Sequence, residues 1–175
     1  MRRTIRKLDA FLGEMIGRLP ESWHTLLNEL SIVASPPAWA VVALIGAGVA
    51  SYKSDYFLTV LSVGVLIALP LSEFIKMLVR RQRPVSLYVE TMRLRSYSFP
   101  SSHAYGASLG AGYLMVYAAQ FVSGPGLYVL AAVLAGIAVM IALSRVYLKA
   151  HFPSDVIAGL GMGVLVVILI AGWVA

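Results

Sequence analysis

Five apolar runs, each close to the length of a bilayer's hydrocarbon core, leave this chain little choice of fold. They lie at about 32–51, 57–79, 104–123, 126–144 and 156–174. A helix needs ~20 apolar residues to cross ~30 Å of hydrocarbon, and inside lipid only structures that satisfy every backbone group internally survive. Charge supports the same reading: 13% of residues are charged, where a soluble domain carries roughly a quarter, and the charges gather between the runs. Trp39, Tyr52, Tyr56, Tyr128, Tyr147 and Trp173 stand near the run ends, as interfacial aromatics do. The first run is the most interrupted, since Pro36 and Pro37 leave 14 clean residues from Ala38 to Ser51. The expected fold is all-α, an integral membrane bundle of about five transmembrane helices. It forms one membrane-embedded domain over 1–175, with 1–31 interfacial and 32–175 the bundle.

Ahead of the runs, residues 4–19 place Ile5, Leu8, Leu12, Met15, Ile16 and Leu19 at helical spacing, opposite Arg2, Arg6, Lys7, Glu14 and Arg18. That pattern predicts an amphipathic helix lying on the membrane surface. Asp9, Glu14 and Arg18 interrupt the segment, so it lacks the apolar core of a cleavable signal peptide. The formal net charge is +6. Because most cations adjoin apolar runs, anionic membrane lipids are the expected partners and nucleic acid is not. With no cysteine, disulfides, thiolate metal sites and cysteine nucleophiles are excluded.

Five crossings put the N-terminus and the polar segments 80–103 and 145–155 on one side of the membrane. Two spans separate those segments, so they can meet in one site. Three constellations lie there. The first is Lys76 to Arg83-Pro84: a spacing of seven returns both cations to nearly one helix face, and Pro84 is expected to end that helix. Two cations at the mouth of a span can receive a phosphate dianion, or can snorkel and mark a loop.

The second constellation is Pro100-Ser101-Ser102-His103 before a run. Hydroxyl residues at a helix start leave backbone amides aimed outward for an anion, and His103 can donate a proton to a leaving oxygen. The plainer reading is a serine N-cap beside an interfacial histidine. The third runs from Ser144-Arg145 through His151 to Asp155. Pro153 suits a first helical turn, which lets Asp155 accept a hydrogen bond from one ring nitrogen of His151 and frees the other to attack phosphorus. Alternatively, Asp155 merely favours the helix dipole.

Lys-x6-Arg-Pro, Pro-Ser-x-His and Ser-Arg-x5-His-x3-Asp, in this order, resemble the signature of the type 2 phosphatidic acid phosphatase superfamily. The resemblance covers residues 76 to 155, and the helix arrangement extends it to most of the chain. It implies His151 as a nucleophile that becomes phosphohistidine, Asp155 as the carboxylate orienting it, and His103 as the general acid. It implies Lys76, Arg83 and Arg145 as cations holding the phosphoryl oxygens, with Ser101, Ser102 and adjoining amides completing the cradle. The family usually has glycine where Ser102 stands; a serine still supplies the amide, so a modest effect on fit is expected. The chemistry requires no metal or other cofactor. Glu73, one turn before Lys76, either tunes that lysine or pairs with it. Arg80, Arg81, Arg93 and Arg95 flank the site as grips for headgroup charge or as interfacial anchors.

The implied activity is metal-independent hydrolysis of a phosphate or diphosphate on a bacterial envelope lipid. Lipid A 1-phosphate, undecaprenyl diphosphate and phosphatidylglycerophosphate are the candidate substrates. A lipid phosphotransferase using the same site is the alternative, with a non-catalytic transporter or scaffold behind it. The expected location is the bacterial inner membrane. Small bacterial members of the family imply a site facing the periplasm, whereas the cation excess on the site's side argues for the cytoplasm under the positive-inside rule.

Overall fold

The computed structural model describes residues 2–33 and 35–174, and these form helices and connections with no strand among them. The helices are α1 (Arg2–Gly17), α2 (Trp23–Val33), α3 (Pro36–Lys53), α4 (Tyr56–Ala68), α5 (Leu71–Val79), α6 (Leu87–Thr91), α7 (Ser102–Ala118), α8 (Pro125–Tyr147) and α9 (Pro153–Val174). Three stretches are long and apolar enough to cross a membrane: Tyr56–Val79, which joins α4 and α5, Pro125–Tyr147 and Pro153–Trp173. The bent pair of α2 and α3 makes a fourth if counted as one span. Of the five expected spans, 32–51 and 104–123 do not qualify on their own, and 104–123 shortens most. Its helix, α7, begins at Ser102 but stops at Ala118 after 17 residues, and a turn carries the chain to Gly124, whose φ of 62° suits glycine.

Proline and cap chemistry explain most of the other boundaries. Pro36 and Pro37 open α3 at its first two positions, where a missing N–H costs nothing. The residues that interrupted the first run therefore start its helix. Between α3 and α4 the turn is minimal: Ser54 takes the left-handed conformation (φ 54°), and Asp55 caps α4 by accepting from the Leu58 amide at 2.9 Å. Pro70 breaks the α4–α5 rod because it cannot donate back along the helix. The Tyr105 hydroxyl, at 2.7 Å, satisfies the Ala68 carbonyl at that break.

Buried Leu58, Leu61, Val65, Tyr105, Leu109, Tyr113 and Val167 form the largest apolar core, where α4, α7 and α9 meet. The contact of α7 with α9 is close because two glycines of α9 face it. A Cβ on Gly159 would lie 2.6 Å from the Ser101 carbonyl oxygen, and one on Gly163 would lie 2.6 Å from that of Tyr105. Small residues that admit a neighbouring backbone are the usual device for joining helices in lipid. The two N-terminal helices dock on the bundle rather than standing apart. Leu27 and Ser31 of α2 are buried, with α2 packed on α8, and α1 touches α8 and α9. Packing thus collects the C-terminal ends of α5 and α8 with the N-terminal ends of α7 and α9.

Candidate active site

All three sequence constellations arrive at this end of the bundle, and hydrogen bonds join them pairwise. Arg83 meets His151, Lys76 meets Ser102, and the Ser101 amide donates to the Asp155 carbonyl at 3.0 Å.

His151 precedes α9 in the turn that follows α8, and its ring is buried. Its Nδ1 lies 2.7 Å from the Ser98 carbonyl oxygen. A carbonyl only accepts, so Nδ1 carries the proton and Nε2 is left with its lone pair. That lone pair faces Nη1 of Arg83 at 3.0 Å. Burial, opposed by Asp155 and reinforced by Arg83 and Arg145, pushes the His151 pKa down to about 4. The ring is therefore a neutral base with one tautomer near pH 7.

Asp155 is placed in the first turn of α9, as its spacing from Pro153 predicts, but its link to His151 differs from expectation. The carboxylate oxygen Oδ2 lies 3.7 Å from Nδ1, beyond a hydrogen bond. It accepts instead from the Phe152 amide at 2.9 Å, while Oδ1 accepts from Arg81 at 2.6 Å. The Ser98 carbonyl, from the loop before α7, takes the role expected of the carboxylate.

Lys76 and Arg83 do not share a helix. α5 ends at Val79, where Arg80 adopts φ 54° and returns its N–H to the Lys76 carbonyl. Arg81 to Pro84 then run on outside any helix, so Pro84 is not the terminator. The arginines are pulled out of helical register by their partners. Arg83 donates to the Ser96 carbonyl at 2.8 Å, to Ser96 Oγ at 2.9 Å and to the Ala150 carbonyl at 3.0 Å. Burial lowers its pKa from the ordinary value, with Arg145 adding to the effect.

Lys76 Nζ is buried and donates to Glu73 at 2.8 Å and to Ser102 Oγ at 2.5 Å, while Ser102 donates to the same Glu73 oxygen at 2.5 Å. The serine that replaces the family's usual glycine thus closes a triangle with the carboxylate and the ammonium. At the start of α7, Ser101 Oγ caps the Ala104 amide at 3.4 Å. The Ser101 amide is taken by Asp155, so only the Ser102 and His103 amides of this turn lack an acceptor among the described residues. His103 sits half-buried in that turn with no hydrogen bond among the described residues.

Arg145 is buried at the end of α8. It donates to Ser31 of α2 and, at 3.4 Å, to the Tyr88 hydroxyl. Its Nε is buried with no hydrogen-bond partner among the described residues. No group of three or more His, Cys, Asp or Glu among the described residues is arranged to hold a metal ion. A cavity of ≈ 500 Å³ opens beside Arg83, lined by Arg6, Asp9, Ala10, Arg81, Gln82 and Phe152.

Sequence reasoning missed Arg81 as a structural partner of Asp155, and Asp9 altogether. The missed signal was a carboxylate between Ile5, Leu12 and Ile16 on one face of α1, where an amphipathic helix places apolar residues.

Comparison with known proteins gives concordant results. The family model described as the PAP2 superfamily matches residues 56–175. The chain is 32% identical over 140 residues to phosphatidylglycerophosphatase B of Bacillus subtilis, covering 76% of this chain and 66% of that protein. It is 34% identical over 129 residues to decaprenylphosphoryl-5-phosphoribose phosphatase of Mycobacterium tuberculosis, covering 71% of this chain and 65% of that protein. The chain thus spans just under two thirds of the length of these curated relatives. Its fold is similar to the crystal structure of a transmembrane PAP2 type phosphatidylglycerolphosphate phosphatase from Bacillus subtilis. The TM-score is 0.76 at 22% identity, over 97% of this chain and 86% of that one.

Proposed function

Because this chain belongs to the PAP2 superfamily, we propose that it hydrolyses a phosphate ester carried by a membrane lipid, through a phosphohistidine on His151. One observation carries the reading. A neutral imidazole, its tautomer fixed by Ser98, turns the Nε2 lone pair toward a guanidinium 3.0 Å away. A guanidinium is where a phosphoryl oxygen docks, and a phosphate docked there presents its phosphorus to Nε2.

The steps follow from that placement. Nε2 attacks phosphorus as the bond from phosphorus to the lipid oxygen breaks. Burial, Arg145 and the neighbouring cations lower the His103 pKa, and the bound phosphate dianion offsets those cations, so His103 takes up a proton from solvent and passes it to the departing alcohol. Positive charge gathered on the His151 ring is met through Nδ1–H by the Ser98 carbonyl and by the Asp155 carboxylate behind it. Water then attacks the phosphohistidine, His103 takes a proton from that water, and inorganic phosphate leaves. Lys76, Arg83 and the Ser102 and His103 amides stabilise the equatorial oxygens. The buried Arg145 adds positive charge behind them.

The relatives bear the names of a phosphatidylglycerophosphatase and a decaprenylphosphoryl-5-phosphoribose phosphatase. Phosphatidylglycerophosphate is therefore our first substrate, with undecaprenyl diphosphate and lipid A 1-phosphate beside it. We place the site on the outer face of a bacterial inner membrane. One cation of the opposing count, Arg81, is held by the buried carboxylates of Asp9 and Asp155 and serves the site's own architecture.

The test is phosphate release from these lipids by purified protein in detergent with chelator present, alongside His151→Ala. Turnover that vanishes in a folded His151→Ala variant, with a ³²P label trapped on the wild-type histidine, supports the reading. Undiminished turnover by the variant refutes it, and transfer of the label to an added alcohol in preference to water identifies a phosphotransferase.

A further inference from the structure

Behind the nucleophile, three charged groups stand in a row that the phosphatase chemistry does not itself require. Arg81 donates through Nη1 to Asp155 Oδ1 at 2.6 Å and to Ser154 Oγ at 2.7 Å. Through Nη2 it donates to Asp9 Oδ2 at 2.7 Å. Asp9 also accepts from the Ser154 amide at 2.8 Å and from Ser154 Oγ at 2.9 Å. The guanidinium lies over the Phe152 ring, 4.2 Å from its centroid. The Asp9 side chain is 4% exposed and that of Asp155 0%.

Asp9 belongs to α1, whose Ile5, Leu8, Phe11 and Met15 are exposed. Its carboxylate points away from Leu8, Phe11 and Met15, into the protein, and among the described residues its hydrogen bonds go to Arg81 and to Ser154 in the first turn of α9.

We propose that Asp9 is a positioning residue for the catalytic centre, acting through Arg81 on Asp155, and that the N-terminal surface helix is thereby part of the active site. The argument is electrostatic as well as geometric. A lone arginine against Asp155 would neutralise the charge that His151 needs behind it when its ring turns cationic. Sharing that arginine with a second carboxylate leaves the cluster of Asp9, Arg81 and Asp155 with one net negative charge. The same sharing fixes Arg81 from both edges, which a guanidinium can span and an ammonium cannot. Asp155 is thus held with the orientation that keeps it behind Nδ1, and Ser154 is held with it.

The inference rests on the phosphohistidine reading, and its test separates the two. Asp9→Asn, Arg81→Lys and the double variant are made in the full chain and purified in detergent. Asp9→Asn keeps shape and the acceptor for the Ser154 amide, but removes the charge. The expected result is a kcat lower by about tenfold, with KM changed less than twofold and the thermal midpoint little moved. The double variant should be no slower than Arg81→Lys alone, because both changes break one path. The His151 ¹⁵N resonances should shift in Asp9→Asn without any substrate. Losses that multiply in the double variant, a change confined to KM, or a kcat loss matched by a collapsed thermal midpoint overturns the proposal. If the wild-type protein releases no phosphate from any lipid, the phosphatase reading has failed by itself. The His151 resonances then decide alone: displaced, they sustain the relay, and unmoved, they end it.

Discussion

Replacing Gly159 with alanine should sharply lower the proposed phosphatase activity while removing no chemical group from the site. Gly159 lies one turn beyond Asp155 on α9, against the start of α7. An added Cβ meets the Ser101 carbonyl oxygen at 2.6 Å, the Tyr105 amide nitrogen at 3.1 Å and the Ala104 Cβ at 3.2 Å. Two of these are backbone atoms, so no rotamer change relieves the clash. The shortest contact falls about 0.8 Å below ordinary van der Waals separation, and the two helix ends must part by roughly that distance. Those ends carry His151 and Asp155 on one side and Ser101 to His103 on the other, tied by the bond from the Ser101 amide to Asp155. Overpacking of this kind costs ~1–3 kcal/mol in stability, and a misplacement approaching ~1 Å can cost ~100-fold in rate. The expected outcome is a kcat for phosphate release lowered roughly 10- to 100-fold at saturating lipid, with a lower thermal midpoint. Gly161, on the same helix with nothing within 4 Å of its Cβ position, is the control, and Gly161→Ala should be active. A Gly159→Ala enzyme with wild-type kcat, or a Gly161→Ala enzyme equally impaired, would refute the reasoning.

Two further expectations concern the charges in the site. The His151 ring should titrate with a midpoint near 4 by ¹⁵N NMR in detergent, and a midpoint at the ordinary ~6.5 would contradict the burial argument. Since the folded pKa is lowered, the unfolded chain binds the extra proton between those values. The stability that the neutral ring contributes is therefore complete above about 6.5 and declines as pH falls toward 4. Glu73→Gln removes the carboxylate that occupies Lys76 at 2.8 Å and so competes with the substrate phosphate. KM for the lipid should fall about two- to fivefold with kcat nearly kept, and a raised KM would show that Glu73 assists binding.

How much of this was legible in the sequence depended on whether a residue's partner lay nearby in the chain. The apolar runs located the rods because lipid penalises any break in helical hydrogen bonding, and for the last two runs helix and run nearly coincide, whereas α7 stops at Ala118, short of the end of its run. The deviations have local causes: two prolines at α3 open a helix, and Pro70 kinks another. The approach of α7 to α9 was not legible. Gly159 and Gly163 are read as close contacts only when the opposing backbone is known, and the apolar character of a run is silent on which of its faces meets a neighbour.

The site divides along the same line. Chemistry-bearing types at fixed spacing marked Lys76, Arg83, Ser101, Ser102, His103, His151 and Asp155 as candidates, because a phosphate site needs cations, amides and a base together, and the family resemblance added Arg145. Which of them touch was set by long-range choices that spacing cannot encode. Helical periodicity put Arg83 two turns above Lys76. The structure instead spends one residue, Arg80, on a left-handed turn, and Arg81 and Arg83 then reach Asp155 and His151 from a stretch outside any helix. The spacing from His151 to Asp155 offered a hydrogen bond between them, but the Ser98 carbonyl, 53 positions away, is the nearer acceptor. Asp9 lies 145 positions from Ser154 and carries no motif, and only its place on the face of α1 expected to be apolar set it apart. A carboxylate there is costly unless a cation waits beneath it. Such misplaced charges in surface helices of membrane enzymes are therefore sound places to search for residues that act on a catalytic centre from outside its motifs.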